Sequence, residues 1–215
     1  MSSIEGILWD FGGVITSSPF ERFNDLEERV GAPRDFIRGV NSTNPDTNAW
    51  AQFEANAISL EAFDELFLAE ATAAGHPIAG KDVIACLSGS IRPRMVEVLQ
   101  TCKSKFRIGC ITNNVKAGVG PGMTENKGKA NKVADVMAMF DIVVESSIEG
   151  VRKPNPRIYE IATQRLQVDP ARCIFLDDLG INLKPARAMG MQTIKVVSEA
   201  QAIAELEQLT GIAFP

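Results

Sequence analysis

Five short, mostly apolar runs punctuate the chain at residues 6–10, 107–112, 141–145, 173–177 and 193–197, each ending against polar residues or glycine. Apolar runs that do not alternate with polar positions are the pattern of strands covered on both faces, as in parallel sheets. Between the later runs, residues 131–139, 157–166 and 182–189 place apolar side chains at helical spacing. The second half of the chain therefore alternates strand and helix, which predicts an α/β fold built on a Rossmann-like, doubly wound parallel sheet.

The stretch between the first two runs, from 19 to about 105, carries only helical patterning. Residues 20–30 (FERFNDLEERV) repeat their apolar positions at intervals of three and four, and Ser59 before Leu60, Glu61, Ala62 and Phe63 reads as the cap of a second helix running through Leu66, Phe67 and Ala71. A crossover of this length is too long for a loop. It predicts a small helical cap domain at 19–91 inserted into a core made of 1–18 and 92–215, with hinges near 17–20 and 88–95. Trp50, Phe53 and Phe63 fall in this insert, and aromatics at helical spacing are read as its core before they are read as a substrate lid.

Bulk properties narrow the partners. A chain of 215 residues with 45% hydrophobic and 23% charged residues has the composition of a globular protein. The net charge of -5, without a dense Lys/Arg block, gives no electrostatic footprint for nucleic acid or anionic lipid, and so favours small-molecule partners. An N-terminus without a basic and then apolar run, and no apolar stretch of about eighteen residues, predict a cytoplasmic protein. No pattern specifies an oligomeric state. Cys86, Cys102, Cys110 and Cys173 lack CxxC spacing and read as reduced core thiols. The single His76, between Gly75 and Pro77, reads as a turn residue, and one histidine excludes a His-rich zinc site and disfavours a Ser-His-Asp triad. Gly128-Lys129 invites a phosphate-loop reading, but the positions that need a glycine and a Ser or Thr hold Met123 and Ala130. Segment 118–132 is therefore read as a plain loop.

Chemistry concentrates where the strands end. Ligands of open α/β sheets bind outside the carboxyl ends of the strands, at the point where strand order reverses. Those ends carry Asp10 with Gly12-Gly13, Thr112-Asn113-Asn114, and Asp177-Asp178, while Lys153 precedes Pro154 at a helix entry. Each alone reads as a turn or cap residue, but together they form one chemistry. Asp10 offers a carboxylate nucleophile, and the glycines let backbone approach a ligand. Thr112 and neighbouring amides suit phosphoryl oxygens, and Lys153 places a compact positive charge among carboxylates. Asp177 and Asp178 suit a hard cation, and Mg²⁺ fits because it takes one or two carboxylates and keeps room for a phosphate.

These motifs resemble the haloacid-dehalogenase-like hydrolases, whose pattern is a nucleophilic Asp after the first strand, Thr or Ser after the second, a Lys, and an acidic pair after the fourth. Residues 175–187 (FLDDLGINLKPAR) and 144–154 (VESSIEGVRKP) are similar to the phosphatase-like domain at the N-terminus of soluble epoxide hydrolases, and residues 9–14 (WDFGGV) to its relative fused to some acyl-CoA dehydrogenases. The resemblance covers nearly the whole chain, more weakly in the insert. It implies a covalent aspartyl intermediate on Asp10, with Mg²⁺ held by Asp10, the Gly12 carbonyl and Asp178. It assigns Thr112 and Asn113 to the phosphoryl group, Lys153 to neutralising it, and Asp177 and Asn182 to orienting Lys153 and the metal's waters. A small phosphorylated metabolite is the implied substrate.

Position 12 departs from the pattern. Phosphatases of the family carry there a second Asp that protonates the leaving group and activates water, and this chain has Gly12. General acid/base catalysis is worth about a hundredfold to ten-thousandfold, so slow turnover is expected unless another group substitutes; Glu21, Glu54 and Asp64 of the insert are candidates. Attack at carbon, as in 2-haloacid dehalogenases, which also lack that Asp and work without metal, is an alternative. A catalytically weak binding module is another.

Overall fold

The computed structural model describes residues 4–114 and 127–214, with the side chains of Glu21 and residues 127–129 left out. Residues 115–126, and with them Met123 and most of the segment read as a loop, lie outside the described residues. The sheet has five strands: β1 (Gly6–Trp9), β2 (Arg107–Thr112), β3 (Ile142–Glu145), β4 (Cys173–Asp177) and β5 (Gln192–Lys195). Their order is β3-β2-β1-β4-β5, and every adjacent pair is parallel. All five expected strands form, within a residue or two of the expected ends.

The period of two along each strand sorts side chains onto two faces. On one, Ile7, Trp9, Ile108, Cys110, Ile174 and Leu176 pack with buried residues of α6 (Pro93–Lys103), α7 (Lys127–Met137) and α11 (Glu199–Thr210). On the other, Leu8, Ile111, Val144 and Phe175 pack against α9 (Pro156–Leu166) and α10 (Gly180–Ala188), with the short α8 (Ser146–Glu149) following β3. Helix α7 corrects one expectation. It begins at Lys127 and not at 131, so Gly128, Lys129 and Ala130 are helical where a loop was expected.

Residues 19–91 contribute five helices: α1 (Pro19–Val30), α2 (Phe36–Ser42), α3 (Ala49–Glu54), α4 (Leu60–Ala73) and α5 (Gly80–Ala85). Ser18 caps α1 by accepting from the Phe20 N–H, with Pro19 at the first helical position, and Ser59 caps α4 by accepting from the Ala62 N–H. These helices bury a hydrophobic cluster of their own, including Phe23, Leu26, Ile37, Phe53, Phe63, Phe67 and Val83. Phe53 stacks on Phe63 at 4.5 Å and Trp50 meets Phe63 edge-on at 6.0 Å, so the three aromatics are packing residues of this cluster. The two connections to the sheet run side by side, with Ser17 N–H donating to Ser90 O (2.8 Å) and Arg92 N–H to Ile15 O (2.9 Å). All four cysteines are free and buried, and His76 lies in a bend with its ring against Phe36. No described helix is long and apolar enough to cross a membrane.

Candidate active site at the strand ends

Strand register assembles the site. Trp9 is aligned with Cys110 on one side and Leu176 on the other, so Asp10 and Asp177 leave the sheet as neighbours at its centre. The Asp10 N–H donates to Leu176 O at 2.8 Å, extending that ladder by one step. Thr112 ends β2 and is buried. Lys153, 2% exposed, enters from the loop before α9 and places Nζ 2.7 Å from Asp10 Oδ1 and 2.8 Å from Asp177 Oδ2. The Phe11 N–H also donates to Asp10 Oδ1, at 2.7 Å.

Asp177 is held as firmly as Asp10. Asn182, on the first turn of α10, donates Nδ2 to both Asp177 oxygens at 3.1 Å, and the Leu179 N–H donates to Oδ1 at 2.8 Å. Asp178 accepts from Ser18 Oγ at 3.1 Å. Oxygens of Asp10, Asp177 and Asp178 all lie within 4.8 Å of one another. An all-oxygen, carboxylate-rich set of this kind fits a hard divalent cation such as Mg²⁺.

Asn113 also has a structural contact within the site. Its side-chain amide brackets the Lys153 backbone, accepting from Lys153 N–H (2.9 Å) and donating to Lys153 O (3.1 Å), so it positions the lysine. Three further connections had no counterpart in the sequence reading: Ser18 on Asp178, Glu54 ion-paired with Arg152, and Ser146 Oγ donating to Glu54 O at 3.1 Å. The last two tie α3 to the strand ends, and Arg152 adds a bond to Pro45 O at 3.0 Å. Of the candidate acids in the insert, Glu54 is committed to Arg152, and Asp64 accepts from Lys81 N–H at 2.9 Å.

Burial governs the protonation states here. It pushes the Asp10 carboxyl well above the usual carboxylate range; Lys153 opposes this, while Asp177 and Asp178 reinforce it. Asp178 is pushed up to about 6, chiefly by burial, with Asp177 adding and Lys153 opposing. Burial works against the Lys153 charge, but Asp10 and Asp177 together outweigh it and hold the ammonium protonated above its ordinary range. Glu54 is likewise raised by burial against the pull of Arg152.

A raised carboxyl means that the folded state keeps a proton the unfolded chain has released. Its stabilising contribution is whole below about pH 4 and is lost as pH rises through 6. The metal-free protein is therefore expected to lose on the order of 1–3 kcal/mol of stability between about pH 4.5 and about pH 7.5 on account of Asp178, whose carboxyl is pushed up to about 6, and the raised Asp10 carboxyl acts in the same direction. Mg²⁺ is expected to restore most of it. Urea denaturation at the two pH values, with chelator or Mg²⁺, checks this; metal-free stability that rises over the interval would contradict it.

A parallel sheet covered by helices on both faces, with a carboxylate-lysine-carboxylate cluster at its central strand ends, is an α/β fold with a candidate site where ligands of such sheets bind. Residues 4–190 match the family model described as haloacid dehalogenase-like hydrolase. The chain belongs to that family and is a hydrolase. It is 32% identical to mouse (Mus musculus) acyl-CoA dehydrogenase family member 10, over 97% of this chain and 19% of that protein, and 32% identical to mouse bifunctional epoxide hydrolase 2, over 96% and 39%. The chain thus spans well under half the length of either relative. Relatives at 24–25% identity are named as phosphatases. Among solved structures, a family enzyme of Bacteroides thetaiotaomicron in complex with magnesium and inorganic phosphate shares the fold at a TM-score of 0.60, with 19% identity over 92% of this chain and 96% of that one.

Proposed function

We propose that the chain is a Mg²⁺-dependent phosphatase or phosphoryl-transfer enzyme that acts on a small phosphorylated metabolite through an aspartyl phosphate on Asp10. The observation that carries this reading is the pairing of Asp10 with Lys153 at 2.7 Å inside a cluster of three carboxylates. Relatives named as phosphatases support it.

Asp10 is the nucleophile in this reading. Two donors on Oδ1, Lys153 Nζ and Phe11 N–H, fix the carboxylate plane before substrate arrives, which lowers the entropic cost of attack. Asp10, the Gly12 carbonyl and Asp178 would hold Mg²⁺, with Asp177 and Asn182 behind them. Bound there, the ion would offset charge on the phosphoryl oxygens and help place phosphorus for attack. Thr112 would donate to a phosphoryl oxygen. Lys153 would neutralise charge on Asp10 and the transferring group without giving up its proton. The helices of residues 19–91 would act as a cap over the strand ends, moving on the paired connections at 15–17 and 90–92, with the Glu54–Arg152 pair and Ser146 holding it closed.

Gly12 favours a second reading, attack of Asp10 on carbon with release of halide, because that chemistry needs no side-chain acid at position 12. The carboxylate cluster weighs against it, since three crowded carboxylates serve a cation better than they serve an anionic haloacid. Exposure to acetyl phosphate with Mg²⁺, followed by peptide mass analysis, is expected to find one phosphoryl group on Asp10. Chloride release from 2-chloropropionate in excess chelator, with no phosphoryl adduct, would replace the first reading with the second.

A further inference from the structure

Two residues beyond the nucleophile, the structure leaves room that no described side chain uses. A Cβ built on Gly12 meets nothing within 4 Å, while one on the adjacent Gly13 runs into the Asp178 carboxylate at 2.2 Å. When Asp10 displaces a group from phosphorus, the leaving oxygen takes the electron pair of the broken P–O bond. An alcohol's oxygen needs a proton at that moment, and a positioned acid supplies it. Among the described residues, Lys153 Nζ is paired with Asp10 and Asp177, and of the candidate acids of the insert Glu54 is ion-paired with Arg152 and Asp64 accepts the Lys81 N–H.

We propose that the gap at Gly12 makes the leaving group the specificity determinant, so that the site takes phosphoryl compounds whose leaving oxygen departs as a stable anion, namely acyl, aryl and enol phosphates, in preference to esters of simple alcohols. The inference rests on the phosphatase reading above. In the first step the Asp10 carboxylate oxygen bonds to phosphorus, the bond to the leaving oxygen breaks, and a carboxylate, phenolate or enolate leaves with no proton taken from the protein. In the second step water bonds to phosphorus, the Asp10–P bond breaks, and dihydrogen phosphate forms with both protons of that water. Position 12 offers no base to this water either, so the aspartyl phosphate accumulates, and a second acceptor hydroxyl competes with water for it.

The test is a series of aryl and alkyl phosphates of graded leaving-group acidity, with Mg²⁺. The burst of released phenol or alcohol gives the first step, and intact mass gives the phosphoenzyme. Wild type is expected to show a steep fall in burst rate as the leaving group becomes less acidic, with phosphoenzyme persisting through turnover. Gly12→Asp is expected to flatten the series by accelerating the least acidic leaving groups about a hundredfold to ten-thousandfold, and to lower the phosphoenzyme level. Gly12→Asn, of the same size without an acid, is expected to keep the steep fall, which separates proton supply from filling the space. A shallow series in wild type overturns the inference and leaves the phosphatase reading standing. A series with neither burst nor phosphoenzyme from any member overturns both.

Discussion

Replacing Lys153 with methionine is expected to lower the folding free energy at neutral pH by about 3–5 kcal/mol and to abolish phosphoenzyme formation at Asp10. Lys153 is among the largest fully buried side chains of the chain and holds two buried carboxylates at once. Methionine keeps most of the apolar stem, so the loss is one of charge and not of packing volume. Asp10 and Asp177 are then left buried without their cation, and an uncompensated buried charge costs far more than an intact pair gains. Without Lys153 the Asp10 carboxyl loses the ammonium that lowers it and rises further. The deficit of the variant should therefore shrink as pH falls and the carboxyls take up protons. Urea denaturation at about pH 5 and about pH 7.5 measures this. A methionine variant as stable as wild type at neutral pH would show that the two carboxylates do not depend on the lysine. Lys153→Arg is expected to recover part of the stability and little of the chemistry, because a planar guanidinium does not occupy the point between two carboxylates that an ammonium does.

How much of this was legible in the sequence follows from which interactions are local. The central strands β1, β2 and β4 were readable because they are buried on both faces and so lack polar alternation, the partly exposed edge strands β3 and β5 from shorter apolar runs, helix α1 from apolar residues at intervals of three and four, and helix α4 because Ser59 marks its start. Helices α2, α3 and α5 have six or seven residues each, too short for a helical period to repeat, and went unassigned. Helix α11 did carry a signal, the capping box of Ser198 and Gln201, that the apolar pattern alone did not pick up. Asp10, Thr112, Asp177 and Asp178 were found from a general rule about strand ends and Lys153 at a helix entry, and the structure brings Asp10, Lys153, Asp177 and Asp178 together, with Thr112 at the end of the strand beside β1. Their supports were not. Asn113 on Lys153, Glu54 with Arg152 and Ser18 on Asp178 join residues 40, 98 and 160 positions apart, and no periodicity or local motif encodes such a pairing. Glu54 was noticed for its acidity and is in fact spent on holding α3 against the strand ends.

The adjacent glycines after Asp10 look interchangeable in sequence and are opposites in structure. Gly13 has φ 75°, a left-handed conformation that costs other residues about 1–3 kcal/mol, and a Cβ there would lie 2.2 Å from Asp178 Oδ2 and 2.3 Å from its Cγ. The side chain of Asp178 has to give way. Moving it breaks the hydrogen bond from Ser18 Oγ at 3.1 Å and draws one of the three carboxylates out of the cluster. Gly13→Ala is therefore expected to cost only about 1–3 kcal/mol in folding, yet to remove the stabilisation by Mg²⁺ and to slow phosphoenzyme formation on the order of a hundredfold or more. Gly12→Ala, whose Cβ meets nothing, is expected to keep the Mg²⁺-dependent rise in melting temperature. Calorimetric Mg²⁺ titration of the two alanine variants reads the difference directly. If Gly13→Ala binds Mg²⁺ as wild type does, then Asp178 is not a ligand, and the metal site has to be sought with Asp10 and Asp177 alone.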